Sequence, residues 1–337
     1  MWVHHVVQDK GRGQNQQRFY KMQESPSTMG NQPSQEEMER MEKEELEGFR
    51  KSLEEAEDFR VNQNLEKFTS SSSTDSLRHH YQQRRKEESE DSADWIQKLT
   101  ENFSTLTSVP ELAGLGALAV AVFIDTSFSI LPNKSTQEAL RGVFAEEKVS
   151  KVWDLIDECL KRTMIFIKQR DELVINIKEL ERQLSAAITC LKNSMVHDGH
   201  VSTQSLKVWV NGAAFHVQML IHLVRLGGLQ TSDPVERLVR TYQSDMAALF
   251  RLQEERIRSK CRLKLMCPYG QEDLMPFLID ETSGFYQMDP SIRDHYSKYL
   301  EVYFDQRYGR QQPGPAVLQQ AAGGPAQPHP AHRILPL

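Results

Sequence analysis

The chain has 337 residues, with 47 acidic and 41 basic side chains for a formal net charge of −6. That is long enough for one sizeable core once low-complexity segments are set aside. The acidic excess lies at the start: residues 1–92 carry 19 acidic and 14 basic groups, residues 93–337 carry 28 and 27, and so balanced a body has no dominant basic face with which to bind nucleic acid.

Met1-Trp2-Val3-His4-His5-Val6-Val7 gives way to Gln, Asp, Lys and Arg where a signal peptide would stay apolar, so the expectation is a cytoplasmic protein. Residues 1–34 are rich in Gln, Asn, Ser, Gly and Pro and read as disordered. Charged residues and Met dominate 35–68, and Leu46, Phe49, Leu53 and Ala56 at spacings of 3, 4 and 3 mark a short stripe on a charged helix. That stripe is a candidate partner-binding face, of coiled-coil type if it continues, although a solvated helix explains it more simply. The Ser/Thr tract Thr69–Ser76 and the mixed-charge run Arg84–Asp91 read as linker, which makes 1–92 an acidic arm with one charged helix at 35–68.

From Ser92 the pattern is helical throughout. Trp95, Ile96, Leu99, Phe103 and Leu106 line one face; Pro110 opens an apolar helix running to about Ile130; Ser135 and Glu138 form a capping box for the next helix. One apolar series runs from Val152 to Ile167 and a second from Leu173 to Leu191. The charged stretch Lys168–Glu172 between them contains no Gly or Pro, so one long helix and a hairpin fit equally. Ser202 caps a helix with Leu206, Val210, Ala213, Val217, Leu220 and Val224 on its inner face, ended by Gly227-Gly228; Asp233-Pro234 starts another. Residues 256–265 alternate basic with mostly apolar residues, a strand pattern. Continuation of the helix to about Met266 is the preferred reading and a small β-hairpin near 257–280 the alternative. Asp289-Pro290 is read as the cap of a last helix, and after Gly309 the composition is that of a disordered Pro/Gly/Ala/Gln tail. The expected fold is all-α: an antiparallel helical bundle over 93–308 between disordered ends.

Few residues carry a chemical signal. Leu112 to Ile124 is apolar on every face, so it is buried either in the bundle core or, taken as 109–131, in a bilayer, and Leu112, Gly114, Gly116, Ala117, Val120, Phe123 and Asp125 are its marker residues. Asp125 opposes a span, because a carboxylate near a bilayer centre costs about 2.5–3.5 kcal/mol. Gly114-x-Gly116-x-x-Ala119 has the skeleton of a dinucleotide fingerprint without the preceding strand that motif needs, so no cofactor is expected. The cysteines at 159, 190, 261 and 267 make no zinc spacing, and His197-Asp198-Gly199-His200 supplies too few ligands in a turn, so no metal is expected either. His216 and His222 read as core-edge histidines. Aromatics concentrate near the C-terminal end of the body, and Tyr296, Tyr299 and Tyr303 form a second candidate partner face beside the simpler reading of a packed cap. No nucleophile elbow or comparable signature is present. The expectation is a non-enzymatic interaction or scaffold protein, with a membrane-associated, pore-former-like bundle as the alternative.

Overall fold

A computed structural model describes residues 34–53, 58–87, 110–127, 135–143, 150–199, 201–267 and 274–309. Among these are ten α-helices and one three-stranded antiparallel sheet, a mostly-α fold with a small hairpin. The chain divides into two compact units, Met1–Glu45 and Leu46–Leu337. Of the first, residues 34–45 are described: they begin helix α1 (Gln35–Ser52), where Glu36 and Glu37 suit the positive end of the helix dipole and Met38 and Met41 are exposed.

The second unit holds α2 (Gln63–Thr69), α3 (Ser73–Glu87), α4 (Leu115–Ser127), α5 (Thr136–Val143), α6 (Ser150–Ile165), α7 (Arg170–His197), α8 (Thr203–Arg225), α9 (Asp233–Lys260) and α10 (His295–Phe304). Polar caps fix several starts. Asn62 accepts from the Asn64 N–H, Ser135 Oγ from the Glu138 N–H, and Ser202 Oγ from the Ser205 N–H, each at 2.9–3.0 Å. At the end of α8, Gly227 at φ +70° donates to Val224 O and Gly228 to Leu223 O, a Schellman closure that only a left-handed residue permits.

Two helices form the interior. α8 is buried on every side between Val208 and Val224, not along one face, because α4, α5, α6, α7 and α9 all pack on it. α4 is the apolar helix, enclosed by α2, α3, α5, α6 and α8, with Leu115, Ala117, Leu118, Val120 and Ala121 fully buried.

Several boundaries differ from expectation for identifiable reasons. The charged helix does not run to residue 68: α1 ends at Ser52, Asp58–Asn62 is irregular, and α2 is separate. The presumed linker contains α3, whose Leu77, Tyr81, His80 and Arg84 are buried against the apolar helix; polar composition hides a helix whose buried partners are themselves polar. The Lys168–Glu172 alternative resolves as a hairpin, since Arg162 Nη1 bonds Asn176 Oδ1 at 3.0 Å across it. α9 stops at Lys260 and the strand pattern prevails, giving β1 (Arg262–Met266), β2 (Met275–Ile279) and β3 (Phe285–Gln287) in the order β1-β2-β3. The last helix starts at His295, not at Asp289-Pro290, where the Asp289 side chain accepts from the Ser291 N–H and so holds a turn. The expected disordered ends (1–33 and 310–337) and the helix around Trp95–Leu106 lie outside the described residues.

Candidate functional site

The apolar segment is secured at its polar end. Asp125, whose side chain is fully buried, accepts from His80 Nε2 at 2.8 Å, from Arg84 Nε at 3.0 Å and from the backbone N–H of Thr136, the first residue of α5. Burial pushes its pKa up, but the hydrogen bonds from His80 and Thr136 outweigh that and leave it below the usual carboxylate value. An anion at the C-terminal end of α4 would meet the negative pole of the dipole; the two α3 side chains compensate it and the start of α5 uses it as a cap. Gly116 lies so close to the carbonyl oxygen of Glu111 that a Cβ would stand 1.7 Å from it. Leu112 is buried, Phe123 half-buried, and Gly114 adopts φ +61° directly before α4. No helix among the described residues is long and apolar enough to cross a membrane.

The two aromatic stripes meet each other. Phe49 packs on Tyr286 and Tyr299 with ring centroids 5.6 and 4.7 Å apart, and Phe49, Leu53, Tyr299 and Tyr303 are all buried, with Leu46 and Tyr296 half-buried beside them. The tyrosine hydroxyls turn inward to two carboxylates. Asp280 accepts from the N–H groups of Thr282 and Gly284 and so shapes the β2–β3 turn; Tyr286 and Tyr303 donate to its other oxygen at 3.2 Å. Glu281 accepts from Tyr303 at 2.8 Å and from Tyr308, and Tyr296 donates to the Cys261 carbonyl at 3.0 Å, pinning the chain just before β1.

The sheet so anchored leaves one long edge outward. In the β1–β2 register Leu263 faces Leu278 and Leu265 faces Pro276, while Arg262 faces Ile279 and Lys264 faces Phe277. β1 is exposed along almost its whole length, Leu263 at 45% and Leu265 at 55%, and among the described residues only β2 pairs with it. Leu274 and Phe285 add further exposed apolar surface on the same sheet. Arg258 is held by Glu254 and stacked on Phe304, but Lys260, Arg262 and Lys264 have no carboxylate partner among the described residues. β1 therefore offers backbone groups unpaired among the described residues, apolar side chains on one face and cations on the other. The alternation was legible in the sequence; that it formed an open edge was not, because this depends on where β2 and β3 pair.

The remaining candidates are distributed singly. His216 is buried between Tyr242 (2.6 Å) and Glu181 (2.8 Å), an arrangement that ties α8 to α9 and α7. His222 is also fully buried, deeper than a core edge. His197, Asp198 and Gly199 end α7 and begin the turn after it, His200 lies outside the described residues, and no group of three or more His, Cys, Asp or Glu side chains among the described residues could hold a metal. Cys159 and Cys261 are buried, with thiols pushed up to about 12 by burial, and Cys190 and Cys267 are exposed. The chain matches no known protein-family model, no curated protein and no solved structure.

Proposed function

We propose that the protein is a non-enzymatic interaction module whose binding element is the outer edge of β1, and that its partner supplies an extended segment in which acidic and apolar residues alternate. The open edge carries this reading: Leu263 and Leu265 lie exposed on one face and Arg262 and Lys264 on the other, beside a row of backbone donors and acceptors unpaired among the described residues. Such an edge is a template for strand addition, in which main-chain bonds supply affinity and alternate side chains supply selectivity. Charge selects the occupant. An added strand places side chains directly opposite those of β1, so acids across from Arg262 and Lys264 gain and bases lose. A second copy of β1 is disfavoured by the same rule, because antiparallel self-pairing centred on Lys264 sets Lys264 against Lys264, and pairing centred on Leu263 sets Arg262 against Lys264.

The buried titratable groups support a binding role over a catalytic one. Asp125, Glu181 with His216, and Asp280 with Glu281 each join one structural element to another. The interaction reading is also favoured over membrane insertion, since the apolar side chains of α4 already have protein neighbours on every face. Exposed Cys190 and Cys267 suit a reducing, cytoplasmic setting.

Fluorescence anisotropy with labelled peptides of about ten residues, alternating Glu with Val or Lys with Val, tests the proposal on the full-length chain. The acidic peptide binds, more weakly as salt rises, and the double variant Arg262→Glu, Lys264→Glu reverses the preference. Equal binding of both peptides, or an unchanged preference in the double variant, refutes it.

A further inference from the structure

The C-terminal end of α8 directs two basic side chains at the start of α4. His222 and Arg225 stand one turn apart on the same face. His222 is fully buried and, among the described residues, neither ring nitrogen has a hydrogen-bond partner; Nη1 of Arg225 is buried and likewise has none among them. Nη1 lies 2.4 Å from where a Cβ on Gly114 would be, so the guanidinium rests on the Gly114 backbone, and His222 Cε1 is 3.6 Å from the corresponding point on Gly116. Gly114 directly precedes α4 and Gly116 lies in its first turn, and at Gly114 only a residue without a side chain allows the guanidinium this close.

Electrostatics makes the arrangement unusual. Arginine stays charged in proteins, and the first turn of a helix carries about half a positive charge together with N–H groups that have no acceptor within the helix. A guanidinium there meets like charge. Burial lowers the basicity of Arg225 with no carboxylate opposing it, and burial together with the neighbouring Arg225 pushes His222 down to about 3, so the imidazole is neutral. The nearby Glu111 faces Arg170, at 3.9 Å, and the Thr69 carbonyl lies 4.0 Å from the Gly114 Cβ position. The hydroxyl of buried Ser73 already accepts from the Gly114 N–H at 2.9 Å. A half-buried guanidinium with no carboxylate partner among the described residues is stabilised when an anion joins it.

We propose that Arg225, His222 and the first turn of α4 form a binding site for a phosphate-type oxyanion, either free phosphate or the terminal phosphate of a small molecule. Arg225 supplies paired N–H donors in the planar geometry that suits phosphate oxygens. The α4 terminus supplies backbone N–H groups and a favourable dipole, and neutral His222 donates one N–H. Arg225 is half-buried, so part of its side chain reaches the surface.

Thermal unfolding and calorimetric titration of the full-length chain test this, with inorganic phosphate, and separately glycerol 3-phosphate, against sodium chloride at equal ionic strength. A saturable rise in melting temperature with either phosphate species, absent with chloride, supports the site. Response to inorganic phosphate identifies a free-anion site, and response to glycerol 3-phosphate alone identifies a phosphomonoester site. Arg225→Met weakens binding roughly tenfold or more, yet without phosphate it is as stable as the unaltered chain or more so, because it removes the unpaired charge. The His222 ring resonances also shift in an NMR titration with phosphate. No saturable response to either species, or an undiminished response in Arg225→Met, overturns the proposal.

Discussion

Replacing Asp125 by alanine removes a carboxylate that both His80 Nε2 and Arg84 Nε contact and the acceptor for the first N–H of α5. All three side chains are at least nine-tenths buried, so solvent screening gives little relief. Deleting one member of such a buried pair takes a counter-charge from the other, at a cost of up to about 3–5 kcal/mol. Asp125→Asn, which keeps an acceptor for the Thr136 N–H, costs less than Asp125→Ala. Urea unfolding followed by circular dichroism measures the difference as a shift in midpoint at constant slope. The pH dependence has a definite sign. Because the folded pKa of Asp125 lies below its ordinary value, its contribution is fully present above the unfolded pKa, about 3.9, and is lost as pH falls through the folded value. The gap between the unaltered chain and Asp125→Ala therefore narrows in acid. A loss under about 1 kcal/mol at pH 7, or a gap that widens on acidification, refutes the reasoning.

Gly116→Ala forces a Cβ onto the Glu111 carbonyl oxygen and destabilises by at least about 1–3 kcal/mol in the same assay. Gly142→Ala, in α5 with nothing within 4 Å, stabilises by about 0.5–1 kcal/mol. In a thiol titration of the native protein, Cys190 and Cys267 react promptly while Cys159 and Cys261 react only on unfolding, their thiols being buried and pushed up to about 12; prompt reaction of all four would contradict the described packing.

The parts of this fold legible in the sequence are those where one side chain or one period decides the outcome. Ser135, Ser202 and Gly227 act through bonds to neighbours a few residues away, and the spacing from Leu173 to Leu191 follows one helix face. α3 was illegible because its buried face includes His80 and Arg84, residues that composition assigns to solvent and that a carboxylate 41 to 45 positions away helps to make tolerable inside. The stripe from Leu46 to Leu53 and the tyrosines of α10 were each open to two readings, a partner face and a simpler one, a solvated helix for the first and a packed cap for the second; the packing of Phe49 on Tyr286 and Tyr299 joins distant elements and has no local signature. Arg225 gave no local signal at all, since the glycine it rests on, Gly114, lies more than a hundred residues earlier. At 256–265 helix and strand patterns overlapped, and pairing with Met275–Ile279, a long-range event, decided between them.

Strand addition at β1 is tested most directly by residue-resolved hydrogen exchange of the full-length chain with and without the alternating acidic peptide. In an antiparallel sheet, alternate residues of an edge strand direct their N–H groups away from the existing neighbour. The account predicts that saturating peptide slows exchange at alternate amides within Arg262–Met266, while those already bonded to β2 change little. Binding that leaves the β1 amides unaltered, or that protects a surface elsewhere, would contradict it.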